Sequence, residues 1–281
     1  MITIENLNFG YTQKALFSRL DLTLEAGNIC GLLGKNGAGK TTLLKIMAGL
    51  LFPQNGRAEV MGYVPGNRRP EFLREVILLP EEFHLPSVTA SDYVSLHSPF
   101  YPLFSRELYL QHMADFELDT DQSLDAYSYG QKKKYLLAFG LASTCRLMLL
   151  DEPTNGLDIP SKRQLRKALA AAMTPDRTFI ISTHQARDLE HLIDPVVILD
   201  SGRIIFNHPM DAISTHLAVH RRTLPPSPDT ALYVENLLDG YLVVSENMDQ
   251  EGSSIDLEIL FNAVIENHDR ISDILDQGGA S

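Results

Sequence analysis

Gly34-Lys35-Asn36-Gly37-Ala38-Gly39-Lys40-Thr41 has the residue types and spacing of a phosphate cradle. Its glycines let backbone N–H groups curl around phosphate oxygens, and a helix starting there turns its positive end toward them. In this G-x-x-x-x-G-K-[ST] pattern, Lys40 reaches the β- and γ-phosphates and the Thr41 hydroxyl binds Mg²⁺. A pair of carboxylates, Asp151 and Glu152, closes the apolar run Leu147-Met148-Leu149-Leu150. Asp151 is placed to hold Mg²⁺, directly or through water, as the second metal anchor of a P-loop ATPase. Glu152 is placed to act as general base on an attacking water.

Such residues meet only if strands deliver them to one edge of a sheet, where α/β ligands sit. Ile29–Leu33 reads as a buried strand before the glycine turn, and 41–51 as the helix after it, ended before Pro53. Val76–Leu79, Leu147–Leu150, Phe179–Ser182 and Val196–Leu199 are short apolar runs of the kind found in parallel strands covered on both faces. Near the N-terminus, Ile2 and Ile4, then Leu20, Leu22 and Leu24, alternate with polar residues, the period-2 pattern of half-buried strands. Strand signals fade over 83–140, where Glu107–Phe116 and Gln131–Leu141 suit helices, so this stretch reads as a helical insertion. The texture changes again after Ile205. Pro225, Pro226 and Pro228 make a break, Asp239-Gly240 signals a turn before Tyr241–Val244, and Ser254 is placed to cap a helix over 255–267. The expected architecture is an α/β P-loop NTPase core with an N-terminal antiparallel β-subdomain and a helical insertion, followed by a small α+β C-terminal extension. The expected division is a nucleotide-binding domain over 1–205 and the extension over 206–281.

The 281 residues carry a formal charge of -12, against the basic face usual in nucleic-acid binders, so no nucleic-acid partner is expected. The local run Lys132-Lys133-Lys134 reads as the solvated start of a helix. Cys30 and Cys145 sit beside apolar residues, give no disulfide framework and suit the reducing cytosol. The apolar runs are too short to cross a bilayer, and Met1 leads straight into a strand pattern without a leader-like segment. A role at a membrane therefore needs another chain for the span.

From Tyr11 to Ile205 the order of motifs resembles the nucleotide-binding domain of the ATP-binding cassette family. Tyr127-Ser128-Tyr129-Gly130-Gln131 resembles that family's Leu-Ser-Gly-Gly-Gln signature, and Asn155-Gly156-Leu157-Asp158 its D-loop. The resemblance implies that ATP and Mg²⁺ bind at Gly34, Asn36, Gly37, Ala38, Gly39, Lys40, Thr41 and Thr42, with Tyr11 stacked on adenine. It implies that two cassettes face head to tail, so that Ser128, Gly130 and Gln131 meet the partner's nucleotide and Asp158 signals across the dimer. It assigns catalysis to Lys40, Glu152 and His184, the last as the switch histidine that contacts the γ-phosphate and attacking water.

Two departures stand out. Tyr129 replaces the signature's first glycine, which weakens the grip if that position needs φ > 0 or a close phosphate. In Leu78-Leu79-Pro80-Glu81-Glu82, Glu81 takes the place of the Q-loop glutamine, and an alignment shifted by one residue selects Glu82. A carboxylate there can still bind a hard cation, which makes Glu81 a third candidate ligand beside Thr41 and Asp151. The short insertion with Phe100-Tyr101-Pro102, and the Leu257–Phe261 pattern, resemble small bacterial cassettes that serve separate exporter-type permeases. The resemblance thus implies an ATPase on the cytoplasmic face of a membrane, paired with an integral permease and an identical or paralogous cassette. Two alternatives are a soluble cassette acting on ribosomes, DNA or proteins, and a regulatory cassette with weak hydrolysis.

Overall fold

A computed structural model describes residues 1–11, 14–227, 230–248 and 255–278. In chain order the elements are β1 (Ile2–Phe9), β2 (Phe17–Leu24), β3 (Ile29–Leu33), α1 (Lys40–Met47), β4 (Asn55–Val60), α2 (Pro70–Leu73) and β5 (Val76–Leu79). There follow α3 (Ala90–His97), α4 (Arg106–Asp115), α5 (Tyr129–Ala142), β6 (Leu147–Asp151), α6 (Ile159–Ala172), β7 (Thr178–Thr183), β8 (Val196–Asp200) and β9 (Arg203–His208). The last are α7 (Met210–His216), β10 (Leu217–Arg222), β11 (Ala231–Leu237), β12 (Gly240–Glu246) and α8 (Leu257–Gly278).

Helix starts follow local chemistry. Thr89, Ser105, Ser128 and Asp158 each accept a backbone N–H at the first turn of α3, α4, α5 and α6, which satisfies donors the helix leaves unpaired. In β1 the buried side chains run Ile2, Ile4, then Leu7 and Phe9. A shift of register between Ile4 and Leu7 lets the strand keep its apolar face inward.

The central sheet has the order β5-β6-β7-β3-β8-β9, parallel except for β9 at its edge. Its side chains split between two cores. Cys30, Leu32, Leu147, Leu149 and Ile180 join the antiparallel sheet β2-β1-β4 and α1 on one side. Leu33, Met148, Leu150, Phe179 and Ile181 join α5 and α6 on the other. Burial on both faces explains why these strands read as unbroken apolar runs. Register places Asp151 opposite Ser182 and Leu33 opposite Thr183. The chain therefore leaves β3, β6 and β7 at one level, at the carboxyl edge.

The helices α3, α4 and α5 lie between the adjacent strands β5 and β6. After β9, the chain forms α7 and the sheet β10-β12-β11, with Leu238 and Asp239 turning between β11 and β12. Leu257 begins α8, which runs beyond the expected end at Asn267. Asn267 itself leaves helical geometry (φ -138°, ψ 46°), and its side-chain amide donates to Leu232 O at 2.6 Å. Pro228 and Ser254 lie outside the described residues. One expectation is corrected: Lys133 is only 4% exposed, not part of a solvated helix start. The helical period puts it on the same face as Leu137 and Leu141, which are buried with it.

Candidate functional site

The phosphate loop joins β3 to α1. Gly37 (φ 82°) and Gly39 (φ 112°) both adopt left-handed backbone, which costs glycine little, and a Cβ placed on Gly37 would meet no atom within 4 Å. The loop is therefore an open concavity at a helix N-terminus, a shape that suits a phosphate. Lys40 Nζ lies within the cradle, donating to Gly34 O at 2.8 Å and lying 3.4 Å from Glu152 Oε1.

The carboxyl ends of β6 and β7 supply the acids and their partners. Thr41 Oγ1 donates to Asp151 Oδ2 at 2.7 Å, and Ser182 Oγ donates to Asp151 Oδ1. The threonine hydroxyl and aspartate oxygen thus adjoin one another, a set of hard oxygen donors that fits Mg²⁺. Glu152, 4% exposed, has a left-handed backbone (φ 46°). Its carboxylate is held by His184 Nδ1 at 2.8 Å and by the His184 N–H at 3.4 Å. Glu152, Lys40 and His184 therefore form one cluster facing the phosphate loop.

Tyr11 is largely exposed beside this loop, with its hydroxyl 3.0 Å from Thr42 Oγ1 and its ring edge-on to Phe9. Asn36 and Gly34 line a recess of about 220 Å³ that continues to His184 and is closed by Glu258 and Phe261 of α8. These two α8 residues escape sequence reasoning because no local motif links them to the loop. Arg187 adds to that wall through ion pairs with Asp256 (3.1 Å) and Glu258 (2.9 Å).

The signature-like segment forms a separate surface. Ser128 and Gln131 cap α5 reciprocally: Gln131 N donates to Ser128 Oγ (3.3 Å), and Ser128 N to Gln131 Oε1 (2.9 Å). Gly130 is next to Gly156, so close that a Cβ on it would lie 3.5 Å from Gly156 O. Tyr129, 48% exposed, stacks on Phe83 at 5.5 Å between ring centres and donates from its hydroxyl to Glu81 O at 3.1 Å. Burial raises its phenol pKa, helped by Glu81 and Glu82. The Glu81 carboxylate accepts from Asn155 Nδ2 at 2.8 Å, and no hydrogen bond joins it to Thr41 or Asp151. Asp158 accepts from Ser161 N at 2.9 Å as cap of α6, and bonds from Ser161 lower its pKa.

Lys133 was not among the sequence candidates. Its Nζ donates to Glu152 O and to Asn155 O, the latter at 2.9 Å. Burial pushes its pKa down to about 8, against the opposing pull of Glu81, Glu152 and Asp151.

A glycine loop between a central parallel strand and a helix, with an acidic pair at the end of β6, across β7 from that strand, defines a P-loop nucleotide-binding domain. The family model for the ABC transporter matches residues 17–155. The Nod factor export ATP-binding protein I of Neorhizobium galegae is 29% identical over 74% of this chain, which spans 62% of that protein's length. The SkfA peptide export ATP-binding protein SkfE of Bacillus subtilis (strain 168) is 29% identical over 73% of this chain and 87% of its own length. A solved ATP binding subunit of an ABC transporter superposes with a TM-score of 0.69 at 25% identity, covering 76% of this chain and 91% of that one. A putative cobalt transport ATP-binding protein shares the fold over 98% of this chain, with a TM-score of 0.66 at 23% identity. Residues 17–155 thus match the ABC transporter family, and the relatives that the chain resembles are ATP-binding proteins of export systems. Among the described residues, no helix is long and apolar enough to cross a membrane.

Proposed function

We propose that this chain hydrolyses ATP to drive a separate membrane permease in the direction of export. Residues 1–205 act as the cassette, and 206–281 as an extension beside the nucleotide site. The observation that carries the reading is the Glu152 carboxylate, buried between Lys40 and His184 at the mouth of the phosphate loop. Water attacks the γ-phosphorus, its proton passes to Glu152, and the bond to the bridging oxygen breaks to leave ADP. Lys40 and the loop amides stabilise charge on the phosphate oxygens, while His184 keeps Glu152 oriented. Thr41 and Asp151 would hold Mg²⁺, which supplies positive charge to the phosphates when bound; Glu81 is a further candidate from the Q-loop. Tyr11 lies where an adenine can stack, and Thr42 holds its hydroxyl.

Ser128, Gly130, Gln131 and Asp158 stand apart from this loop, on a surface suited to a second cassette, identical or paralogous. The permease contact falls on a groove of about 770 Å³ beside the Q-loop, lined by Leu50, Phe83, His84, Tyr93, Phe100 and Tyr101. Phe100, at 68% exposed, is a large apolar side chain facing water, as expected where a partner's segment docks. The chain would then sit on the cytoplasmic face of the membrane. Names of relatives concerned with Nod factor export and peptide export favour export over import.

The test is purification of the tagged chain from gently solubilised native membranes. The expected result is a stoichiometric multispanning protein whose presence raises the ATPase rate. Recovery only from the soluble fraction, with ribosomes or a soluble partner, would overturn the permease assignment.

A further inference from the structure

We infer that Lys133 is a positioning residue for hydrolysis: its ammonium reaches across from α5 and fixes the backbone that carries the general base. The inference rests on the reading of Glu152 as that base.

A lysine at 4% exposure in the second turn of a helix is an unfavourable placement. Its charge is desolvated, and it stands near the positive end of the helix dipole. Something specific must hold it there, and its Nζ has two acceptors, Glu152 O and Asn155 O. A third contact is the face of the Tyr129 ring, 5.9 Å from Nζ. Among the described residues no carboxylate pairs with Lys133 directly, so its charge goes to main-chain carbonyls of the Glu152–Asn155 turn.

That turn needs holding. Glu152 has a left-handed backbone (φ 46°), which costs a non-glycine residue energy and persists only where surroundings enforce it. Its N–H donates to Ser182 O at 3.0 Å, which ties one end to β7. Lys133 ties the other end through the carbonyl. With both ends fixed, the carboxylate is delivered to Lys40 and His184. Removing the ammonium leaves the Glu152 carbonyl with only the Asn155 N–H, 3.2 Å away within the same turn. The turn then loses its tie to α5, the backbone can relax from its strained conformation, and the carboxylate loses its aim.

The same lysine links the base to the Q-loop. Asn155, whose carbonyl it holds, donates from its side chain to the Glu81 carboxylate at 2.8 Å. Helix α5, the turn after β6 and the turn after β5 are therefore joined through one ammonium and one amide within a single subunit. A shift of α5 when a second cassette meets Ser128 would be felt at the base.

The experiment is steady-state and single-turnover ATP hydrolysis by the purified full chain, with binding of a non-hydrolysable ATP analogue measured by calorimetry. The variants are K133M, K133R, K132M, E152Q and E152Q/K133M. K133M is expected to lower kcat about ten- to a hundredfold, the usual result of misplacing a catalytic group by a fraction of an ångström to one ångström. Analogue affinity should stay within about threefold, K133R should restore most of the rate, and K132M should match the unmodified chain. Because Lys133 acts through Glu152, E152Q/K133M should be no slower than E152Q, whereas a merely structural role would add its own loss. If K133M does not fold, K133Q, which keeps two N–H donors without charge, replaces it in the same comparisons.

The inference is overturned by a K133M rate equal to that of the unmodified chain. It is equally overturned by a loss that persists undiminished on top of E152Q. An unmodified chain that binds ATP without hydrolysing it overturns the proposed function itself, a result distinguishable from either.

Discussion

Replacing Glu152 by glutamine changes one oxygen to an amide and should separate binding from chemistry. Glu152 Oε1 lies 3.4 Å from Lys40 Nζ and 2.8 Å from His184 Nδ1. The amide oxygen can keep one of these contacts, but it can no longer accept the proton of the attacking water. General-base catalysis is worth about 10²–10⁴ in rate, which is about 3–5 kcal/mol of barrier at 1.36 kcal/mol per tenfold. Lys40 is not orphaned by the change, since Gly34 O still accepts from it at 2.8 Å. Removing a negative charge from the edge of the phosphate loop should leave ATP affinity equal or higher. The expected result is therefore a fall in kcat of about 10²–10⁴ with undiminished affinity, and an ATP-dependent dimer that persists on size-exclusion chromatography. Phosphate release and calorimetry with ATP check the two halves. A kcat within about threefold of the unmodified chain would refute the reasoning, because no catalytic base is lost so cheaply.

Gly156→Ala should destabilise the chain by about 1 kcal/mol from its left-handed backbone (φ 75°), and further because the new Cβ would lie 2.5 Å from the Tyr129 ring. Coupled with Tyr129→Gly, the second part should vanish, giving an interaction energy of about 1 kcal/mol in a denaturation cycle. Ser128→Ala removes one half of the capping box on α5 and should cost about 1 kcal/mol in urea unfolding. Lys133 also predicts a pH effect. Burial holds its folded pKa at about 8, below the ordinary lysine value of 10.5, so between these the unfolded chain binds more protons and stability rises with pH. Comparing urea midpoints at about pH 7.5 and 9.5, K133M should show less of this rise than the unmodified chain, within a range below the raised tyrosine pKa values.

The phosphate loop was legible because its chemistry is local. Gly34 through Thr41 must be contiguous to wrap one phosphate group, so spacing alone exposes it, and the strand before it shows in five successive apolar residues, Ile29 to Leu33. The same holds for Asp151 and Glu152 at the end of β6, and for the caps at Ser128 and Asp158, where a side chain bonds a backbone three residues away. The α/β core with its antiparallel sheet and inserted helices followed from runs of this kind.

What the sequence could not display were pairings set by strand order. That β3 and β6 flank β7 is a property of the closed sheet, and this order brings Thr41 to Asp151 across 110 residues and His184 to Glu152 across 32. Tyr129, read from spacing as a misfit for glycine, turned out to be anchored on Phe83 and Glu81. Phe261 and Glu258 reach the phosphate loop only because α8 packs back beside it. Lys133 is the sharpest case. A run of three lysines signals solvent by composition, yet helical period turns the middle one inward. Composition reports the average cost of burying a charge. Only the tertiary structure supplies the two carbonyls that offset that cost at one position.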